Sequence, residues 1–327
     1  MIRWLLTAVL ALGLTAPAYA DEELKVGYVR VMDDAQAMLA YETGLYKKYG
    51  LDTKLIEFSS GTDLIKGIVG GQLDIGVLGF SNAFTWVSRG ADLKIVSGAQ
   101  QGYHSLVVRN DSGINQVEDL KGHSLASQKQ GSTADIVLKG VVLANAGLQP
   151  DDLNIMGVAP AVAVQSLVGG RVDAAFLFEP YDRIAQLVAP VKQIYQIGEV
   201  WPFPCMVVIT SGETLKKRKD VIWAALDAQR DATEMLENDP DKAATYITDY
   251  FIKDPVVKSL NQGDVPAKEV ISQAIQTNVF NAKLTDDDIN RMKELAVIMT
   301  KQGILPKDKP FDVDALLDLS WQKARGL

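Results

Sequence analysis

The chain has 327 residues, 47% of them apolar, enough for one large or two medium globular units, and its net charge of −8 argues against nucleic acid or anionic lipid as a partner. The single cysteine, Cys205, excludes an intramolecular disulfide, so the fold must rest on packing. With only His104 and His123 in the chain, Cys205 reads as a small apolar residue at a strand start rather than a paired nucleophile.

The first twenty residues carry Arg3, an apolar run from Trp4 to Leu14, and Ala18-Tyr19-Ala20 before Asp21. This is the pattern of a cleavable secretory leader, because the apolar run is shorter than the ~20 residues needed to span a bilayer. The mature chain is expected to begin at Asp21, without a lipid-accepting cysteine, as a soluble periplasmic protein.

From Asp21 onward, β-rich runs at 24–29, 54–58, 73–78 and 93–99 alternate with helical segments. Such alternation predicts an α/β fold with mixed, mostly parallel sheets flanked by helices. Glycines 44, 50, 70–71, 90 and 147 supply helix stops, and Asp34, Thr62, Ser81, Asn82, Ser132 and Thr133 supply helix caps.

An internal repeat organises the chain. Leu64 to Gly76, with Gly70-Gly71 and Asp74, recurs as Val164 to Ala175, with Gly169-Gly170 and Asp173. One supersecondary unit repeated at this distance predicts two lobes of like construction. Lobe I is expected over 21–107 and 208–327, lobe II over 108–207, with hinge crossings near 105–109 and 204–208. A strand at 205–210 leads into a long helical region, 214–236, and the tail from Pro240 is mostly helical, with an amphipathic stretch over 286–302.

The motifs Gly44-Leu45-Tyr46, Ser59-Ser60-Gly61, Gly70 to Gly76, Asp119 to Gly122, Gly131 to Ala134 and Phe178-Glu179-Pro180-Tyr181 follow one another in order. In these the chain resembles, from about Leu24 to Ala224, the substrate-binding proteins of the nitrate, sulfonate and taurine ABC transporter group, whose relatives include thiamine-precursor binders. The resemblance implies a two-lobed periplasmic-binding-protein type II fold that closes over a small molecule. It also implies delivery to an ABC permease with a cytoplasmic ATPase, and the chain is expected to act as a monomer.

Ligands of open α/β sheets bind beyond the C-terminal strand ends, where loops enter helices. That rule selects Arg30 after the first strand, Ser60 and Gly61 after the second, and Phe80, Ser81 and Asn82 after the third. In the second lobe it selects Gln128, Gly131, Ser132 and Thr133, then Phe178, Glu179 and Tyr181. The hydroxyls and helix N-termini suit a small organic anion such as a sulfonate, with Glu179 facing the amine of a taurine-like zwitterion. The alternatives are a pyrimidine stacked on Phe178 or Tyr181, or an enzyme or sensor on the same fold. No catalytic residue, metal site or cofactor is expected, since no Walker, dinucleotide or paired-cysteine motif is present.

Overall fold

The computed structural model describes residues 22–327. The leader over 1–20 and the cleavage point before Asp21 lie outside the described residues.

The first sheet contains β1 (Glu22–Val29), β2 (Leu51–Phe58), β3 (Ile75–Gly79) and β4 (Leu93–Gln100). The chain then enters a second sheet of β5 (Ser105–Arg109), β6 (Ser124–Ser127), β7 (Asn154–Gly157), β8 (Ala174–Leu177) and β9 (Val191–Gln196). It returns as β10 (Met206–Ser211), and a small hairpin of β11 (Val256–Ser259) and β12 (Gly263–Pro266) follows.

The two large sheets have matching orders, β2-β1-β3-β10-β4 and β7-β6-β8-β5-β9. In each, two neighbouring pairings are parallel and two antiparallel. The antiparallel strand inside each sheet, β10 or β5, is the one delivered by a crossing segment. This gives mixed sheets with a larger antiparallel share than local strand–helix alternation suggests.

The repeat is visible atom by atom. The helices Gly61–Val69 and Pro160–Val168 run into Gly70 and Gly169, followed by Gly71 and Gly170 at φ +69° and +67°, a left-handed conformation that favours glycine. The turn delivers Asp74, whose carboxylate accepts the Lys25 N–H at 2.8 Å, and Asp173, which accepts the Ser124 N–H at 3.0 Å. Each aspartate thus ties its turn to the strand beside it.

The crossings occupy residues 101–104 and 201–205 and lie side by side. The Gly102 N–H donates to the Phe203 carbonyl at 2.6 Å, and a side chain at Gly102 would strike the Phe203 ring. Both fall a few residues ahead of the positions read from sequence. Ser105–Arg109 and Met206–Ser211 are already hydrogen-bonded strands, so the backbone must change sheets before them.

The C-terminal segment covers the first sheet and also reaches the second. The helix Asp286–Lys301 crosses the helical coil that begins at Thr133, where the absent side chain of Gly140 admits Ile298. On the other flank, Arg183 donates to Gln273 Oε1 at 2.9 Å, and the Leu260 N–H donates to the Leu187 carbonyl at 2.9 Å. No described helix is long and apolar enough to cross a membrane.

Candidate functional site

The two sheets direct the C-terminal ends of β1, β2 and β3 toward those of β6 and β7. Between them lies a cavity of about 140 Å³. Lobe I lines it with Val29, Val31, Ser59–Thr62, Leu78, Gly79 and Asn82, and lobe II with Gln128, Lys129, Ser132–Ala134 and Val158–Pro160. His104, Cys205 and Met206, on or beside the crossings, complete its wall.

Helix starts dominate this wall. The helices Gly61–Val69, Phe80–Val87 and Pro160–Val168 open onto it, as does Thr133–Val137, which runs on as a wider coil over Leu138–Leu143. The first N–H groups of a helix have no intrahelical acceptor and carry the positive end of its dipole. Ser60 and Ser132 act as N-caps, their hydroxyls accepting from the Asp63 and Asp135 N–H groups at 3.2 Å each. Asn82 is oriented by its own amide, which donates to the Gly79 carbonyl at 3.1 Å.

Among the described lining residues Lys129 carries the only formal charge, and no carboxylate faces the space. The lobes touch beside it. Ser81 and Thr133 hydroxyls lie 2.8 Å apart, both buried, and the Tyr181 hydroxyl donates to the Arg30 carbonyl at 3.3 Å.

Of the residues singled out from sequence, Ser60, Gly61, Asn82, Gln128, Ser132 and Thr133 line the cavity, and Ser81 lies directly behind Thr133. The others stand elsewhere. Phe80 turns into the core against Phe84, ring centroids 5.0 Å apart. Arg30 points outward and pairs with Glu57 at 2.5 Å. Gly131, at φ +80°, shapes the turn before Ser132, and its N–H donates to Asp135 at 2.9 Å. Phe178 and Glu179 are buried behind the crossings, and Tyr181 packs edge-on against Phe178.

Behind the cavity lies a dense polar layer. Asp33, Asp34, Glu179 and Asp182 are all at most 1% exposed, and no Lys or Arg among the described residues is buried to a comparable degree. Burial, with Asp182 nearby, pushes the Asp33 carboxyl up to about 8, and burial likewise raises Asp34 and Glu179. The His104 imidazole is stacked on Phe176 at 5.3 Å and meets Phe178 edge-on at 5.6 Å. Burial in this aromatic box lowers its pKa to about 4, so it is held neutral. The Cys205 thiol is raised by burial and by Asp33 and Asp34.

Cys205 reads from sequence as a small apolar residue, and its meeting with His104 is not visible there, because the two are distant in sequence and come together where the crossings lie side by side.

An alkanesulfonate-binding protein from Xanthomonas axonopodis pv. citri, solved bound to MOPS, superposes with TM-score 0.77 at 21% identity, covering 92% of this chain and 100% of that one. The nitrate-binding protein NrtA from Synechocystis superposes with TM-score 0.74 at 16% identity over 93% of this chain and 89% of its own. A Bacillus subtilis protein named for binding aliphatic sulfonates is 24% identical over 92% of this chain and 87% of its own length. The structural likenesses identify the two-lobed periplasmic-binding-protein fold. The family description NMT1-like matches residues 18–248, more than half of the chain, and the protein belongs to that family.

Proposed function

We propose that this protein is the periplasmic solute-binding component of an ABC importer, capturing a small oxyanion, a sulfonate head group above all, between its lobes. In this account the two crossings are the hinge, and the closed form docks on the permease, whose cytoplasmic ATPase drives import. The observation that carries the reading is the cavity's wall, in which helix starts and hydroxyls converge from both lobes and no carboxylate opposes an anion. A helix terminus contributes roughly 0.3–1 kcal/mol to holding a charge. A hydrogen bond to a charged group contributes about 1.5–3 kcal/mol. Four or five such donors offset the cost of association and support affinity of order micromolar, about −8 kcal/mol.

Relatives named for aliphatic sulfonates and nitrate favour the same ligand class. The position of Glu179 refines it. Because that carboxyl lies behind the wall, the cavity offers no carboxylate to the ammonium of taurine, which favours a simple alkanesulfonate over a zwitterion. The same placement takes the Phe178 and Tyr181 rings and the Glu179 carboxyl, the partners expected for a pyrimidine, out of the cavity wall.

Calorimetry of the purified protein with ethanesulfonate, taurine, nitrate and uracil tests this. Ethanesulfonate should bind more tightly than taurine, and Ser132→Ala combined with Thr133→Ala should weaken it at least tenfold. Tight uracil binding unchanged in the double variant, with no response to any oxyanion, would refute the proposal.

A further inference from the structure

Asp33, His104 and Cys205 come from three separate parts of the chain: the loop after β1 and the two crossings. One ligand atom from each lies within 4.8 Å of the other two, and all three residues are only 1% exposed. Asp33 Oδ1 and His104 Nδ1 have no hydrogen-bond partner, and neither does Oδ1 of the adjacent Asp34. Buried polar atoms without partners are costly, and their presence on two residues of one cluster calls for an occupant.

Carboxylate, imidazole and thiol together are the donor set of zinc-type ions, which bind sulfur at about 2.3 Å and nitrogen or oxygen at about 2.0–2.2 Å. Side-chain adjustments of about an ångström would bring all three donors onto one centre. The backbone around them is fixed: the His104 carbonyl accepts the Ile197 N–H at 2.9 Å, and the imidazole is held by Phe176 and Phe178. Of the buried acids nearby, Glu179 has Arg183 at 3.5 Å, whereas Asp33 and Asp34 have no ion-pair partner among the described residues, which favours a cation beside them.

We propose that Asp33, His104 and Cys205 form a three-donor site for a borderline-soft divalent ion of the zinc class, with its fourth position open to the cleft. His104 and Cys205 line the cavity, so an ion there presents its free position to whatever enters. A catalytic three-donor zinc site keeps the same kind of opening. The ion would be held whether or not the solute is an oxyanion. If it is, the ion would supply the positive charge that the wall otherwise draws only from Lys129.

The chain's single cysteine makes the site directly readable. Cobalt(II) added to chelator-treated protein should give a thiolate-to-metal charge-transfer band and tetrahedral visible bands that saturate at one ion per chain, and zinc should bleach them. Cys205→Ser should abolish the charge-transfer band. Asp33→Asn and His104→Gln should each weaken binding at least tenfold, whereas His123→Gln should leave it unchanged. Should a variant fail to fold, the wild type still decides the matter, because zinc must slow alkylation of Cys205. Absence of the cobalt bands together with equal alkylation rates with and without zinc would overturn the proposal, as would full binding in folded Cys205→Ser.

Discussion

The hydroxyls of Ser81 and Thr133 lie 2.8 Å apart, the first on the opening turn of the helix after β3, the second on the opening turn of the helix after β6. This bond joins the two lobes beside the cavity, and it depends on a bare backbone at Gly79. A Cβ at Gly79 would collide with Thr133 Oγ1, although its φ of −59° is open to any residue.

Gly79→Ala should therefore fold normally yet hinder approach of the lobes. The expected result is a melting temperature within a few degrees of the parent, with solute affinity reduced at least tenfold, about 1.4 kcal/mol or more. Circular dichroism melting and calorimetry check the two halves separately. Undiminished affinity would mean that the lobes need not meet at Thr133.

Glu179 predicts a pH dependence. Its carboxyl is raised by burial first and by Asp182 next, with Arg183 and the Thr277 hydroxyl pulling the other way. Tyr103 faces the same group of acids from the first crossing. A carboxyl raised in the folded state keeps its proton after the unfolded chain has released it, so stability falls as pH climbs above the ordinary value of 4.5. Metal-free protein should thus be less resistant to urea at about pH 8 than at about pH 5, and Glu179→Gln should reduce the difference. Parallel pH profiles in parent and variant would remove Glu179 as the cause.

Much of the architecture was legible because it is written in local signals. The double glycines and the aspartates that follow them form the same turn twice, and Asp74 and Asp173 close the same hydrogen bond to strands 49 residues earlier. Ser132 was readable as a cap for the same reason, whereas the cap after β2 is Ser60 and not Thr62, which lies inside the helix.

Phe178 and Glu179 were placed in the cleft because they follow the C-terminal end of a strand, where loops of open α/β sheets meet a ligand. Their side chains turn inward instead, toward His104 and Asp182, because the crossings fill the space in front of them. No local pattern encodes that choice. Nor does one encode the meeting of Asp33, His104 and Cys205, which lies beside the pairing of Gly102 with Phe203.

Hydrogen–deuterium exchange with and without a saturating alkanesulfonate tests the central claim, capture of a small oxyanion between the lobes, most directly. The account predicts added protection at the backbone amides of Gly61 and Thr62, Ser81 and Asn82, and Thr133 and Ala134, on both lobes at once. Protection confined to one lobe, or bound sulfonate with unchanged exchange at all six amides, would contradict it.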